Sequence, residues 1–348
     1  MTTEESAGGA PFSMFRLTEQ LIGETYSEFA LFQPDRSADG LERRYANDHS
    51  AFVQVGDARI HYREEGNPDG QTLLMIHGTY SSLHTWDDWV VALGDEFHLV
   101  RLDMPGFGLT GPRADGEHSL EYLIEAVGDF CDELGLENVA VAGNSLGGGI
   151  AWRFSLDRPD LVSKLILINA GGTTLLAHLA GNLTNLGTEL VPRYVTPRFV
   201  IRMIVRDAYG DASKVTPAVV RRYHDLLLRP GNRGAVIEIA ENYQRSHHDD
   251  EVDHVHEPPI PMLPSAYDTL PVVMDEYDIS GVSVPTLFMW GSEDEWLPLS
   301  FGQELAKIVP GSTFITYEGV GHIPMEEAPA STAADAAQFL AAANPSTA

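Results

Sequence analysis

Gly143-Asn144-Ser145-Leu146-Gly147 reads G-x-S-x-G, and its flanks decide what that pattern means. An apolar run, Val139-Ala140-Val141-Ala142, precedes it, and Gly147-Gly148-Gly149-Ile150-Ala151-Trp152 follows as a helix start. A serine at a sharp strand-to-helix turn takes a strained backbone, so its neighbours must be small for strand and helix to approach. The turn exposes the serine Oγ at a helix N-terminus, where free N–H groups and the helix dipole favour negative charge. Two further loops share this placement. Gly291-Ser292-Glu293-Asp294-Glu295 follows the strand-like run Pro285 to Trp290, and Gly319-Val320-Gly321-His322-Ile323-Pro324 follows Thr313 to Tyr317. Upstream, Leu73-Leu74-Met75-Ile76 leads into His77-Gly78-Thr79. A serine, an acid and a histidine thus stand in that order, each at the carboxyl end of a predicted strand.

With His77-Gly78-Thr79, Asp103-Met104-Pro105-Gly106-Phe107-Gly108 and the three loops in these places, residues 51–342 resemble the α/β-hydrolase superfamily. The resemblance implies an α/β fold: a mostly parallel eight-stranded sheet, helices on both faces, and a helical lid after the sixth strand. It also implies roles: Ser145 as nucleophile, His322 as base and then acid, and Asp294 as the group that orients His322. Oxyanion donors would be the backbone N–H groups of Thr79 and Leu146. Glu293 and Glu295 point elsewhere in an extended loop, and the end of the sixth strand, the alternative place for the acid, holds Asn169. His77 is expected to tie down the oxyanion loop, and Asp103 to hydrogen-bond its turn.

The expected organisation is an N-terminal extension over 1–50, a hydrolase core over 51–170 and 280–342, and a lid over 171–279. Within the extension, residues 15–32 suggest a helix and Pro34 to Gly40 a linker. The core opens with strands over Phe52 to Val55 and Arg59 to Arg63 about the Gly56-Asp57 turn. Ser119 to Leu134 carries apolar residues at helical spacing and stops at Gly135. In the lid, Pro192, Pro197, Pro217 and Pro230 divide the chain into short helices. Arg198, Arg202 and Arg206 mark a solvated basic face, with Phe199, Ile201, Met203 and Val205 opposite. Leu175, Leu176, Leu179, Leu183 and Leu186 are expected to help roof an apolar pocket. His247 to His256 carries eight histidines and acids, but no paired zinc spacing is clear, and a solvated acidic loop is the reading. Trp86 and Trp89 read as helix-face core, although one could edge the pocket.

A formal net charge of −29 argues against nucleic acid and anionic membrane as partners. No apolar run reaches a membrane span. An acidic, polar start and a single cysteine, Cys131, read as a buried inert thiol, fit a cytoplasmic protein. No cofactor or metal is expected, and the partner is a small ester or similar acyl substrate; oligomeric state is not encoded legibly. Serine at the elbow disfavours the dehalogenase and epoxide hydrolase chemistries that use aspartate there. Gly143-Asn144-Ser145 is similar to hydrolases that cleave carbon–carbon bonds in ring-fission products. That group usually follows His-Gly with Gly-Pro-Gly, where this chain has Thr79-Tyr80-Ser81-Ser82. Carboxylic-ester hydrolysis through an acyl-enzyme is therefore preferred, with carbon–carbon hydrolysis or a non-catalytic ligand receptor as alternatives.

Overall fold

A computed structural model describes residues 32–113, 116, 118–171, 196–248 and 279–343. Eight strands form one sheet: β1 (Ser50–Val55), β2 (Ala58–Gly66), β3 (Thr72–Ile76), β4 (His98–Leu102), β5 (Val139–Asn144), β6 (Val162–Ile168), β7 (Thr286–Gly291) and β8 (Thr313–Tyr317). Their order is β1-β2-β4-β3-β5-β6-β7-β8. The β1–β2 and β2–β4 pairs are antiparallel, and every later pair is parallel. All six residues of β5 and of β7 are buried, as expected of central parallel strands covered on both faces.

Ten α-helices are described. They are α1 (Ala38–Tyr45), α2 (Asp87–Leu93), α3 (Leu120–Glu133), α4 (Leu146–Asp157), α5 (Arg198–Asp207), α6 (Pro217–Leu227), α7 (Asn232–His248), α8 (Leu299–Ile308), α9 (Pro324–Glu327) and α10 (Pro329–Ala341). In α3 the Ser119 hydroxyl accepts from Tyr122 N at 3.1 Å, and Leu123, Ile124, Val127, Phe130 and Cys131 form the buried stripe. Burial pushes the Cys131 thiol up to about 12, consistent with an inert sulfur. Trp86 and Trp89 are fully buried, in edge contact with each other.

Three expectations change. Residues 38–45, partly read as linker, form α1, because the Ser37 hydroxyl caps Gly40 N. Met203 is exposed while Ile201 and Val205 are buried. The alternating series 199, 201, 203, 205 cannot share one face at 3.6 residues per turn, whereas 201, 204, 205 and 208 can. His247 and His248 close α7 rather than a loop; the rest of that cluster, the 15–31 segment and the leucines of 172–195 lie outside the described residues. Among the described residues, no helix is long and apolar enough to cross a membrane.

The segment from Gln33 to Tyr45 lies against α6 and α7. Arg36 N donates to Leu228 O at 2.8 Å, and Arg233 pairs with Asp35 and donates to Gln33 O at 3.1 Å. The Asp225 side chain is fully buried and meets Arg36 at 3.1 Å, Arg44 at 3.5 Å and the Tyr45 hydroxyl at 2.8 Å. Leu41 packs with Leu109 and Leu226 beneath these ions.

Asp103 has the structural role expected of it. It accepts from Leu83 N and Leu109 N, each at 2.8 Å, and from His61 Nδ1 at 2.7 Å. Burial raises its carboxyl, but the His61 hydrogen bond and nearby histidines outweigh that and hold it well below the usual range. A depressed carboxyl contributes stability that is present above its unfolded pKa, near ~4, and lost as pH falls towards the folded value. Asp103→Ala should therefore destabilise the protein at pH 7 by about 3–5 kcal/mol in urea titrations. Its stability should also change less than the wild type's as pH drops below ~4.

Candidate active site

The turn after β5 places Ser145 at φ 54°, ψ −122°, a left-handed conformation rare for a residue with a side chain. Close packing enforces it. A Cβ on Gly147 would lie 2.4 Å from Ile76 O, so α4 can approach β3 only with glycine there. On the other side, a Cβ on Gly78 would lie 2.9 Å from the Ser145 Cβ, which places the loop after β3 directly against the serine. His77 fixes that loop: its Nδ1 bonds Gly78 O at 2.8 Å, and its Nε2 accepts from Met104 N at 3.1 Å. Burial keeps this imidazole's pKa low and its ring neutral.

His322 Nδ1 bonds Asp294 Oδ2 at 2.8 Å, and both side chains are buried. A carboxylate on Nδ1 sets the tautomer, leaving Nε2 as a lone-pair acceptor. That Nε2 is buried and has no partner among the described residues. Asp294 also accepts from Trp296 N at 2.8 Å, Leu297 N at 3.0 Å and Asn169 Nδ2 at 2.5 Å. Glu293 and Glu295 on either side are exposed.

Two asparagines belong to this arrangement that sequence reasoning did not assign to it. Asn169, at φ 41°, donates to Asp294 and accepts from Gly291 N at 3.2 Å, so it joins the ends of β6 and β7 beneath the acid. Its position was the signal, since it stands where the fold's alternative acid would. Asn144 donates to Ile168 O and to His322 O, both at 3.0 Å, tying the serine turn to the histidine loop.

One cleft is lined by Thr79, Tyr80, Ser145 and His322, with Ile204, Val205 and Ala208 from α5 and the turn after it, and Tyr223, Trp296 and Ile323 beside them. Leu146, the first residue of α4, is buried just behind Ser145. Behind Tyr223, Glu326 accepts from the Tyr223 hydroxyl at 2.8 Å, Tyr209 at 2.9 Å, Thr85 at 2.6 Å and Arg222 at 2.7 Å. Burial, then the Glu326 charge, raise the Tyr223 phenol above its ordinary value, so it stays a donor. Among the described lining residues none is lysine or arginine.

The family model for the alpha/beta hydrolase fold matches residues 71–329. The chain belongs to the α/β-hydrolase family. An uncharacterised protein of Mycobacterium tuberculosis is 28% identical over 291 residues, covering 80% of this chain and 77% of that one. The 2-hydroxy-6-oxononadienedioate/2-hydroxy-6-oxononatrienedioate hydrolase of Cupriavidus pinatubonensis is 26% identical, over 78% of this chain and 89% of its own. Among solved structures, a bacterial membrane phospholipase A superposes with a TM-score of 0.65 at 23% identity, covering 94% of this chain and 97% of that one. These are likenesses within the α/β-hydrolase fold.

Proposed function

We propose that this α/β-hydrolase is a serine hydrolase of neutral carboxylic esters. One observation carries the reading: Ser145 on its strained turn and the unpartnered Nε2 of the Asp294-held His322 line one cleft with apolar walls. Ser145 Oγ attacks the ester carbonyl carbon while its proton passes to His322 Nε2. The carbonyl oxygen becomes an oxyanion, met by the N–H groups of Leu146 and Thr79. Collapse expels the alkoxide, which takes the proton from His322, and leaves an acyl-serine. Water then attacks the acyl carbon, giving its proton to His322, and Ser145 departs with that proton as the acid is released. Asp294 stays ionised and stabilises the imidazolium in both halves.

The lack of a described cation in the cleft favours a neutral substrate. The Cupriavidus relative is named for hydrolysis of dioates, and two carboxylates need cationic partners. Arg222, behind the cleft wall, is already paired with Glu326 at 2.7 Å. A fluorophosphonate should label Ser145, and labelled protein should lose turnover of p-nitrophenyl esters. Turnover of a ring-fission dienone dioate without ester turnover would reverse the choice of bond.

Residues 171–279 act as the lid in this reading, with Ile204 among its described residues that line the cleft. Ile204→Trp should move the preference towards shorter acyl chains by several-fold in kcat/KM across a graded ester panel. Arg206 is exposed and Arg198 half-buried on the same helix. Reversing the charge of Arg198, Arg202 and Arg206 together should change salt dependence or melting temperature more than neutral-ester turnover. A selective loss on anionic esters would instead make that helix a substrate-recognising face.

A further inference from the structure

Five consecutive residues, Asp207 to Asp211, each bond to the core around His322. Asp207 Oδ2 accepts from Trp296 Nε1 at 2.6 Å, and Ala208 O accepts from His322 N at 2.7 Å. The Tyr209 hydroxyl donates to Glu326 at 2.9 Å, while Gly210 N and Asp211 N donate to Glu327 at 2.9 and 2.7 Å. Glu327 also accepts from Gly321 N at 2.8 Å. Within this run Asp207 breaks a local rule, because a carboxylate in the last turn of a helix faces the negative end of the dipole. Its compensation is the indole N–H.

The indole so held lies against the histidine. The Trp296 and His322 rings are 4.7 Å apart between centroids, inclined at 43°. The backbone of the same residue donates to Asp294. Trp296 therefore touches the imidazole with its ring, the acid with its N–H and α5 with its indole nitrogen.

Resting on the Ser-His-Asp reading above, we propose that Trp296 is a positioning residue for His322, held in place by Asp207 of α5. The ring blocks rotation of the imidazole away from Ser145. Its face also lies within the roughly 6 Å over which an aromatic ring attracts a cation, so it favours the imidazolium formed during turnover. Other titratable groups around His322 are Asp294 at Nδ1 and Glu327 at the adjacent Gly321. Tyr80 and Tyr223 lie in the cleft walls, and Glu326 and Tyr209 stand behind them with Arg222 and Lys214 as counter-charges. None of these changes when Trp296 is replaced.

The test is a set of variants read by kinetics and by NMR titration of the His322 imidazole. Trp296→Leu should lower kcat about tenfold or more with KM changed much less. It should also move the His322 titration, and the acid limb of kcat/KM, downward by about half a pH unit or more. Trp296→Phe keeps a ring face without the N–H, and should restore the titration while recovering only part of kcat. Asp207→Asn retains an acceptor and should resemble the wild type, whereas Asp207→Ala should resemble Trp296→Phe. If Trp296→Leu melts like the wild type yet leaves both kcat and the His322 titration unmoved, Trp296 is only a cleft wall and the proposal is overturned. Should Leu at 296 fail to fold, Trp296→Phe decides: unchanged kcat would overturn the role of the Asp207 bond. Absence of fluorophosphonate labelling at Ser145 would sink the parent reading instead, and the NMR titration would still judge Trp296.

Discussion

Ser145→Ala is expected to abolish ester hydrolysis, with kcat falling on the order of 10⁶-fold by analogy with loss of a triad nucleophile in subtilisin. The change removes one oxygen from a turn that packing already enforces: Gly78 lies against the serine, and Gly147 lets α4 approach the end of β3. Alanine meets the same backbone strain as serine at φ 54°, so the melting temperature should stay within a few degrees of the wild type. Rate loss without unfolding is the signature of a nucleophile. A loss smaller than about tenfold would sink the assignment, because in the proposed mechanism the remaining backbone donors cannot hold most of the rate. His322→Ala should match Ser145→Ala, since the proposed mechanism passes the serine proton to Nε2.

Asp294→Asn is expected to cost roughly 10⁴-fold in kcat, the size of the corresponding change in a trypsin-type triad. The four donors on Asp294 give the physical reason. Its Oδ1 accepts from Trp296 N and Leu297 N, and its Oδ2 accepts from Asn169 Nδ2 and His322 Nδ1. An amide cannot accept at both ends. Whichever way it turns, its NH₂ group faces two donors, so either the loop after β7 is disturbed or the imidazole adopts the other tautomer. Glu293→Gln and Glu295→Gln, on exposed neighbours, should leave kcat within about twofold, as surface changes away from a site usually do. Steady-state kinetics of the three variants on one ester separates these outcomes; a large loss at Glu293 would mean the acid had been assigned one residue out of register.

Much of the fold was readable because its strands end where local patterns are strongest. Strand β5 is an apolar run ending at glycine, and β7 and β8 end in the Asp294 and His322 loops, so those positions could be read from residues close in sequence. The contacts that hold them are long-range and leave no local trace. Asn144 reaches His322 O across 178 positions, Asn169 reaches Asp294 across 125, and Trp296 reaches Asp207 across 89. Each is an ordinary polar or aromatic residue whose partner only folding supplies. The misread face of α5 has a different origin. Its arginines recur every four residues, but the apolar set opposite them was read at a period of two, which a helix does not keep. In α1 the error was local as well: Pro34 and Gly40 outweighed the Ser37 cap.

Asp225 gives the segment before the sheet a weight that its length does not suggest. The carboxylate lies fully buried on α6, and its cations, Arg36 and Arg44, come from the stretch that precedes β1. The family match begins only at residue 71. A shortened chain starting at residue 51 would keep every strand from β2 onward and every residue of the cleft. It would nonetheless take two ion pairs and the Tyr45 hydrogen bond from Asp225 and uncover the apolar surface of Leu109 and Leu226, so it should melt below the full chain. The stretch before β1 is thus part of the folded unit, although none of its described residues lines the cleft.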